Sequence, residues 1–275
     1  MNRHEIEPSY ENSKKLEKWI GKIKSRWENY PEFKVNQEKL KHLAIICDGN
    51  RRAAEKQRLN VSFGHQAGVE TIKGIARASR EWGIHAISFW VWSTENWLRP
   101  LAQVEYIMDL AIKNFTSPSF LEELKEKQVR FTHIGRKDRL STNVRLAIEN
   151  LEKQTEKFTT FRLNLGLDYG GLDETARGIL KMFDNFQKGE FNPQILRENP
   201  QKILDFLDTA NQPEPDLIIR TGMTKKEIFR TSGFMSSQTA YSGWVSLPHL
   251  FPDLAPQDLL KPVKKFIGYE RRLGR

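Results

Sequence analysis

Short apolar runs that stop at polar or glycine-bearing turns, each followed by helical periodicity, constrain this chain more than any other feature. The runs are HLAIIC (42–47), IHAISFWVW (84–92), VRFTHIG (129–135), FRLNLGLDY (161–169) and DLIIRT (216–221), with WVSLP (244–248) as a sixth candidate. Between them apolar residues recur at helical spacing: Val69, Ile72, Ile75 and Ala76, then Val104, Ile107, Met108, Ala111 and Phe115. The stretch 143–157 and the set Leu172, Ala176, Ile179, Leu180 and Phe183 repeat the pattern. Alternating strands and helices predict right-handed crossovers. The expected fold is α/β, with a mostly parallel, six-stranded sheet and helices on both faces. A run such as LAII suits a strand buried on both sides. In open sheets of this kind ligands bind beyond the carboxyl ends of the strands, so the residues after each run are the ones to read.

The 275 residues suit a single domain with an appendage. We place an N-terminal helical extension over 1–41 and the main, catalytic domain over 42–275. In the extension, Leu16, Trp19, Ile20, Ile23 and Trp27 recur at helical spacing among lysines and glutamates, until Pro31. Such a helix either packs on the main domain or lies on a membrane surface, aided by its lysines and tryptophans. No run approaches the roughly 20 apolar residues of a membrane-spanning helix. The start, MNRHEIEPSYENSKK, lacks the apolar core of a secretory signal. A lone cysteine, Cys47, forms no intrachain disulfide and fits a reducing, cytoplasmic setting. The expected location is cytoplasmic, with peripheral membrane contact left open by the helix. A formal net charge of +9 favours phosphate-rich partners. Its lysines are scattered and no nucleic-acid motif is present, so no nucleic-acid partner is expected.

Arginines, by contrast, gather at strand ends. The first end reads Asp48-Gly49-Asn50-Arg51-Arg52. Glycine permits a tight turn and close approach to a ligand. A helix starting there aims free N–H groups at an anion, and two arginines offer bidentate contacts to phosphate. Asp48 beside such an anion is unfavourable unless a cation lies between them, and magnesium resolves the conflict. Alternatively, Asp48 and Asn50 simply form a turn. The second end is Ser93-Thr94-Glu95-Asn96-Trp97-Leu98-Arg99-Pro100, which also reads as a helix cap. The fifth gives Arg220-Thr221-Gly222, followed by Arg230-Thr231-Ser232-Gly233. Arginine is hard to bury without an anion, so three such ends in one sheet point to a convergent anion site. His65, in Phe63-Gly64-His65, is placed to reach it.

Taken together these segments resemble the cis-prenyltransferase family, which includes the undecaprenyl diphosphate synthases. The resemblance is carried by HLAIICDGNRRAA, FGHQAGVE, FWVWSTENWLRP, RFTHIG, LNLGLDYGGLDE, PDLIIRT, RTSGFMSSQTAYS, LFPDL and ERRLG, in family order from residue 42 onward. It implies six parallel strands, a homodimer, and isoprenoid diphosphate substrates: an allylic diphosphate condensed with isopentenyl diphosphate to leave a cis double bond. It also implies roles residue by residue. Asp48 would sit at Mg2+ and assist departure of diphosphate. Gly49, Asn50, Arg51 and Arg52 would cradle the allylic diphosphate. His65 and Ser93 would lie near the reacting ends, so that Asp48, Asn50, His65 and Ser93 form the catalytic set. Glu95, Asn96, Trp97 and Arg99 would shape the pocket, and Arg220, Arg230 and Ser232 would hold the second diphosphate. Charge accumulating on the leaving group needs such cations. An apolar tunnel must exclude water from the carbocation, with Phe89, Trp90, Trp92, Ile107, Met108 and Leu110 as candidates for its wall.

Four positions depart from the family pattern. Val61 stands where an arginine is usual, and Arg58 is a candidate substitute. Gly243 replaces the glutamate of AYSE, a usual metal ligand. The loop after Arg220 is longer, through Lys225, Lys226 and Glu227, and Glu227 could replace the lost carboxylate. Ala53 stands where an aromatic residue is usual. These changes keep two further readings open. One is coupling or cyclisation using allylic diphosphate alone, as in a terpene synthase. The other is a non-catalytic partner subunit.

Overall fold

The structure, a computed structural model, describes residues 10–224 and 226–269. Lys225 and the terminal ERRLG segment lie outside the described residues. All six strands run parallel, in the order β3-β4-β2-β1-β5-β6. They are β1 (His42–Ile46), β2 (Ala86–Ser93), β3 (Val129–Ile134), β4 (Phe161–Tyr169), β5 (Leu217–Arg220) and β6 (Gly243–Ser246). The helices are α1 (Tyr10–Glu28), α2 (Asn50–Lys56), α3 (Phe63–Glu81), α4 (Leu101–Phe115), α5 (Pro118–Glu126), α6 (Thr142–Thr155), α7 (Gly171–Gln187), α8 (Ile195–Glu198) and α9 (Pro256–Gly268). The chain leaves β1 toward β2 and the β4–β3 edge, then returns to place β5 on the other side of β1. That reversal opens a crevice at the carboxyl ends beside β1, where ligands collect in such sheets.

Alternation along the strands divides the core. Leu43, Ile45, Ile87 and Phe89 face the larger cluster, packed against residues of α2, α3, α4, α6 and α9. Ala44, Ile46, Trp90 and Ile218 face a smaller one, sealed by Tyr169, Phe234 and Met235. Phe234 stacks on Trp90 at 5.1 Å between ring centroids. The second face is therefore closed largely by an irregular segment, anchored to α7 by Gln238, whose Nε2 donates to Glu174 at 2.9 Å. Near the amino ends, both ring nitrogens of His42 are engaged, with Pro213 O at 2.7 Å and Ser88 Oγ at 2.8 Å. Burial pushes the His42 pKa down to about 4.

Helix α1 settles between its two expected roles by packing. Leu16, Trp19, Ile23 and Trp27 are buried in the main core. Gly74 of α3 makes the seat, since a Cβ there would lie 2.2 Å from Trp27 Cγ. The tryptophans thus face protein and are not offered to lipid. Three helices, α5, α8 and α9, escape the periodicity argument. Helix α5 is short, started by Ser117 accepting from Phe120 N with Pro118 at its first position. Helix α9 has an internal Pro262.

Candidate active site

At the end of β1 the backbone turns through Gly49 at φ 105°, a left-handed conformation that favours glycine. A Cβ there would also lie 2.9 Å from Leu250 Cδ2. Helix α2 then starts so close to α3 that only glycines fit. A Cβ on Gly64 would lie 1.9 Å from Asn50 O, and one on Gly68 2.5 Å from Asn50 Oδ1. The Asn50 amide donates to Cys47 O at 2.9 Å, and its Oδ1 is buried without a hydrogen-bond partner.

Asp48 stands between two arginines. Arg52 Nη2 lies 3.2 Å from Oδ1, and Arg220 Nη2 lies 3.1 Å from Oδ2, across 172 residues of sequence. Arg220 Nη1 also donates to Arg230 O at 2.6 Å and Ser232 Oγ at 2.9 Å. Its Nε–H is buried without an acceptor. Ser232 adopts φ 53°, unusual for a residue other than glycine. The Phe234 plug holds that turn against the sheet.

At the end of β2, Asn96 Oδ1 accepts from Ser93 N at 3.1 Å and fixes a 3₁₀ turn over Thr94–Leu98. Arg99 lies over Trp92 at 5.0 Å from the ring centroid. Burial, then Arg51, lowers the Arg99 pKa. His65 opens α3 and faces Arg99 and Arg51. Burial first, and then those two cations, push its pKa down to about 3, so the ring is neutral near pH 7.

These groups line one polar cavity of about 520 Å³. It brings together Asp48, Gly49, Asn50, Arg51, Arg52, His65, Ser93, Asn96, Arg99, Arg220 and Ser232, as the sequence suggested. Three expected residues lie outside its wall. Glu95 is exposed on the first turn of the 3₁₀ segment. Trp97 packs edge-on against Trp92 and carries Arg139 above it. Arg230 contributes its backbone carbonyl to Arg220, and its side chain is exposed.

A second, apolar cavity of about 140 Å³ shares Cys47, Asn50, His65 and Val91 with the first. The two form a polar mouth and an apolar bore. The bore runs between the sheet and α3, α4 and α5, past Ile72, Ile107, Leu110 and Phe131. Of the residues expected in a tunnel wall, Ile107 and Leu110 line it, while Trp90 and Trp92 line the mouth. Phe89 and Met108 are buried in the core and line neither. Sequence reasoning missed most of the bore, because residues such as Ile72, Ala111 and Phe131 carry the same apolar signal as core.

The departures from the family pattern also find places. Gly243 starts β6 opposite Leu217, at the amino end of the sheet edge and away from Asp48. A Cβ there would meet Phe266 Cε2 at 2.7 Å. Within this chain the position does not face the mouth. Glu227 is exposed and caps its own loop, accepting from Thr224 N at 2.7 Å. Arg58 is exposed past the end of α2, outside the cavity. Ala53 is fully buried in the main core.

The donor set decides how a metal ion would be held. Among the described residues no group of three or more His, Cys, Asp and Glu converges as a metal site. Among the described residues, Asp48 and Glu55 alone bring carboxylates to the mouth, and arginines engage both oxygens of Asp48. This fits magnesium in the form that leaves most positions to water and to phosphate oxygens.

Four arginines against two carboxylates at the mouth, joined to an apolar bore, define a site for an anionic head with a hydrocarbon tail. Comparison with known proteins agrees. The model of the undecaprenyl diphosphate synthase family matches residues 46–274. An isoprenyl transferase of Thermus thermophilus is 35% identical over 237 residues, 86% of this chain and 89% of that protein. A tritrans,polycis-undecaprenyl-diphosphate synthase (geranylgeranyl-diphosphate specific) of Thermococcus kodakarensis is 34% identical over 250 residues, 90% and 92% of the two chains. The crystal structure of lavandulyl diphosphate synthase from Lavandula x intermedia, in complex with dimethylallyl diphosphate, superposes with a TM-score of 0.79. It shares 27% identity and covers 87% of this chain and all of that one. The chain belongs to the undecaprenyl diphosphate synthase, or cis-prenyltransferase, family. It is a prenyltransferase by family.

Proposed function

We propose that this protein elongates an allylic isoprenoid diphosphate with isopentenyl diphosphate, in cis, with magnesium. The observation that carries the reading is the polar mouth opening, beside neutral His65, into the apolar bore. In this reading Arg51, Arg52, Asn50 and the amides at the start of α2 hold the allylic diphosphate. Arg220, with its unpartnered Nε–H, and Ser232 hold the second diphosphate. Charge builds on the departing diphosphate, and the arginines stabilise it there. Magnesium held by Asp48 would supply further neutralisation of that charge. His65 and Ser93 stand where the two substrates meet. The bore accepts the tail and keeps water from the reacting carbon.

The active form in this proposal is a homodimer. Helix α7 supports it by exposing Leu172, Ile179, Leu180 and Phe183 along one side. Edge strand β6 offers a second surface.

Coupling of two allylic diphosphates is the second reading. The structural match to lavandulyl diphosphate synthase bound to dimethylallyl diphosphate favours it. Incubation with magnesium and dimethylallyl, geranyl or farnesyl diphosphate, with and without isopentenyl diphosphate, separates the two by mass spectrometry. Elongation predicts products only when isopentenyl diphosphate is present. Products from the allylic diphosphate alone would move the assignment to the second reading.

A further inference from the structure

The bore ends at an ion pair. Where β3 and β4 begin, its wall includes Arg77 of α3 and Glu123 of α5 together with Val129 and Phe161. Arg77 donates to Glu123 from Nε at 2.5 Å and from Nη2 at 2.7 Å, a bidentate contact that ties α3 to α5. Both side chains are partly exposed, at 50% and 33%, so the pair has water on one side and hydrocarbon on the other. Lys73, Arg80 and Lys127 line the same cavity, and its charge is confined to this rim and to the mouth.

Length and volume disagree in an informative way. Along β4 the lining runs from Leu167 to Phe161, roughly 20 Å at about 3.3 Å per residue. The free volume of about 140 Å³ matches a cavity of about 150 Å³ that takes one benzene ring. A tail of several isoprene units therefore needs the wall to part. Sheet strands β2, β4 and β3 are hydrogen-bonded to one another and do not part. The helical side of the bore, α3, α4 and α5, is the wall left to part, and the Arg77–Glu123 pair ties α3 to α5. A tail end that reaches the pair also stops gaining from burial. Going further means separating the guanidinium and carboxylate and leaving each against hydrocarbon.

We propose that the Arg77–Glu123 pair is the length stop of the bore, fixing the longest isoprenoid tail the protein accepts. This rests on the reading that the bore takes the tail, and it adds which residues end it. The test is calorimetric binding of unreactive thiolodiphosphates carrying two, three, four and six isoprene units. The wild-type protein is expected to gain affinity with tail length and then stop. Arg77→Ala, Glu123→Ala and the double variant R77L/E123L should move that limit outward by at least one isoprene unit. The charge-exchanged variant R77E/E123R should return it. An unmoved limit in folded variants, or a limit that moves and is not returned by the exchange, would overturn the proposal. Binding that ignores tail length altogether, or no binding of any analogue, would instead sink the tail-in-bore reading and this proposal with it.

Discussion

Two histidines at opposite ends of the sheet show how the same physics acts in two different settings. Burial lowers both, His42 to about 4 and His65 to about 3. His42 lies at the amino ends, with both ring nitrogens hydrogen-bonded within the protein. His65 lies at the carboxyl ends, faces two arginines and lines both cavities. Close by, Asn50 Oδ1 and Arg220 Nε–H are buried without partners. Unsatisfied polar atoms are costly in a folded protein. Such atoms occur elsewhere in the molecule as well, and these two belong to residues in the wall of the mouth. Low pKa alone does not distinguish the two ends; the arginines that His65 faces and the cavities it lines do.

The contrast can be broken by experiment. The largest effect is expected for Asp48→Asn. Turnover should fall about 1,000-fold, the order seen when one charge-stabilising group is removed, with little change in the unfolding transition. Near-normal turnover in that variant would remove the mouth as the reaction site. His42 should show the reverse pattern. Its folded pKa is depressed from 6.5 to about 4, so protonation favours the unfolded chain. Its contribution is fully present above pH 6.5 and is lost as pH falls toward 4, by roughly 3 kcal/mol. Urea titrations at pH 7 and pH 4.5 measure the loss. His42→Gln should remove about half of that slope, His65 supplying a similar share, and leave turnover at pH 7 within about threefold; a large fall in turnover would erase the distinction between the ends.

Arg220→Lys sharpens the account of the mouth. Lysine is a point charge and does not reproduce the fork that spans Asp48, Ser232 and the Arg230 carbonyl. The KM for isopentenyl diphosphate should rise by about 10- to 100-fold, corresponding to about 1.5–3 kcal/mol, while KM for the allylic substrate changes little. Equal changes in both would mean that Arg220 does not separate the two diphosphates. Ser232→Ala should act in the same direction and less, by about 1 kcal/mol. A larger effect than Arg220→Lys would point to the Ser232 turn, at φ 53°, as the main determinant.

The strands and the mouth were legible in the sequence for one reason. A charged residue at the end of an apolar run or in the turn that follows it needs an explanation, as at Asp48 and Arg220 and, a few residues further on, at Arg52 and Arg99. What joins them is not legible: Asp48 and Arg220 meet only because β1 and β5 are neighbours. The Arg230–Ser232 stretch was read as two ligand-binding side chains. The structure keeps Ser232 in the wall of the mouth, and puts the side chain of Arg230 outside it with the backbone carbonyl on Arg220. The place of Gly243 was not legible because sequence motif order carries no register, and β6 places it opposite Leu217. The bore was hidden most deeply. Ile107 and Leu110 on its wall and Met108 in the core differ in sequence by nothing that hydrophobicity reports.

The most direct test of the central claim is a crystal structure with farnesyl thiolodiphosphate and magnesium. The account places the diphosphate against Arg51, Arg52 and the start of α2, with the tail passing His65 into the bore toward Ile107 and Phe131. A diphosphate elsewhere, or a tail lying outside the space between the sheet and α3 to α5, would contradict it.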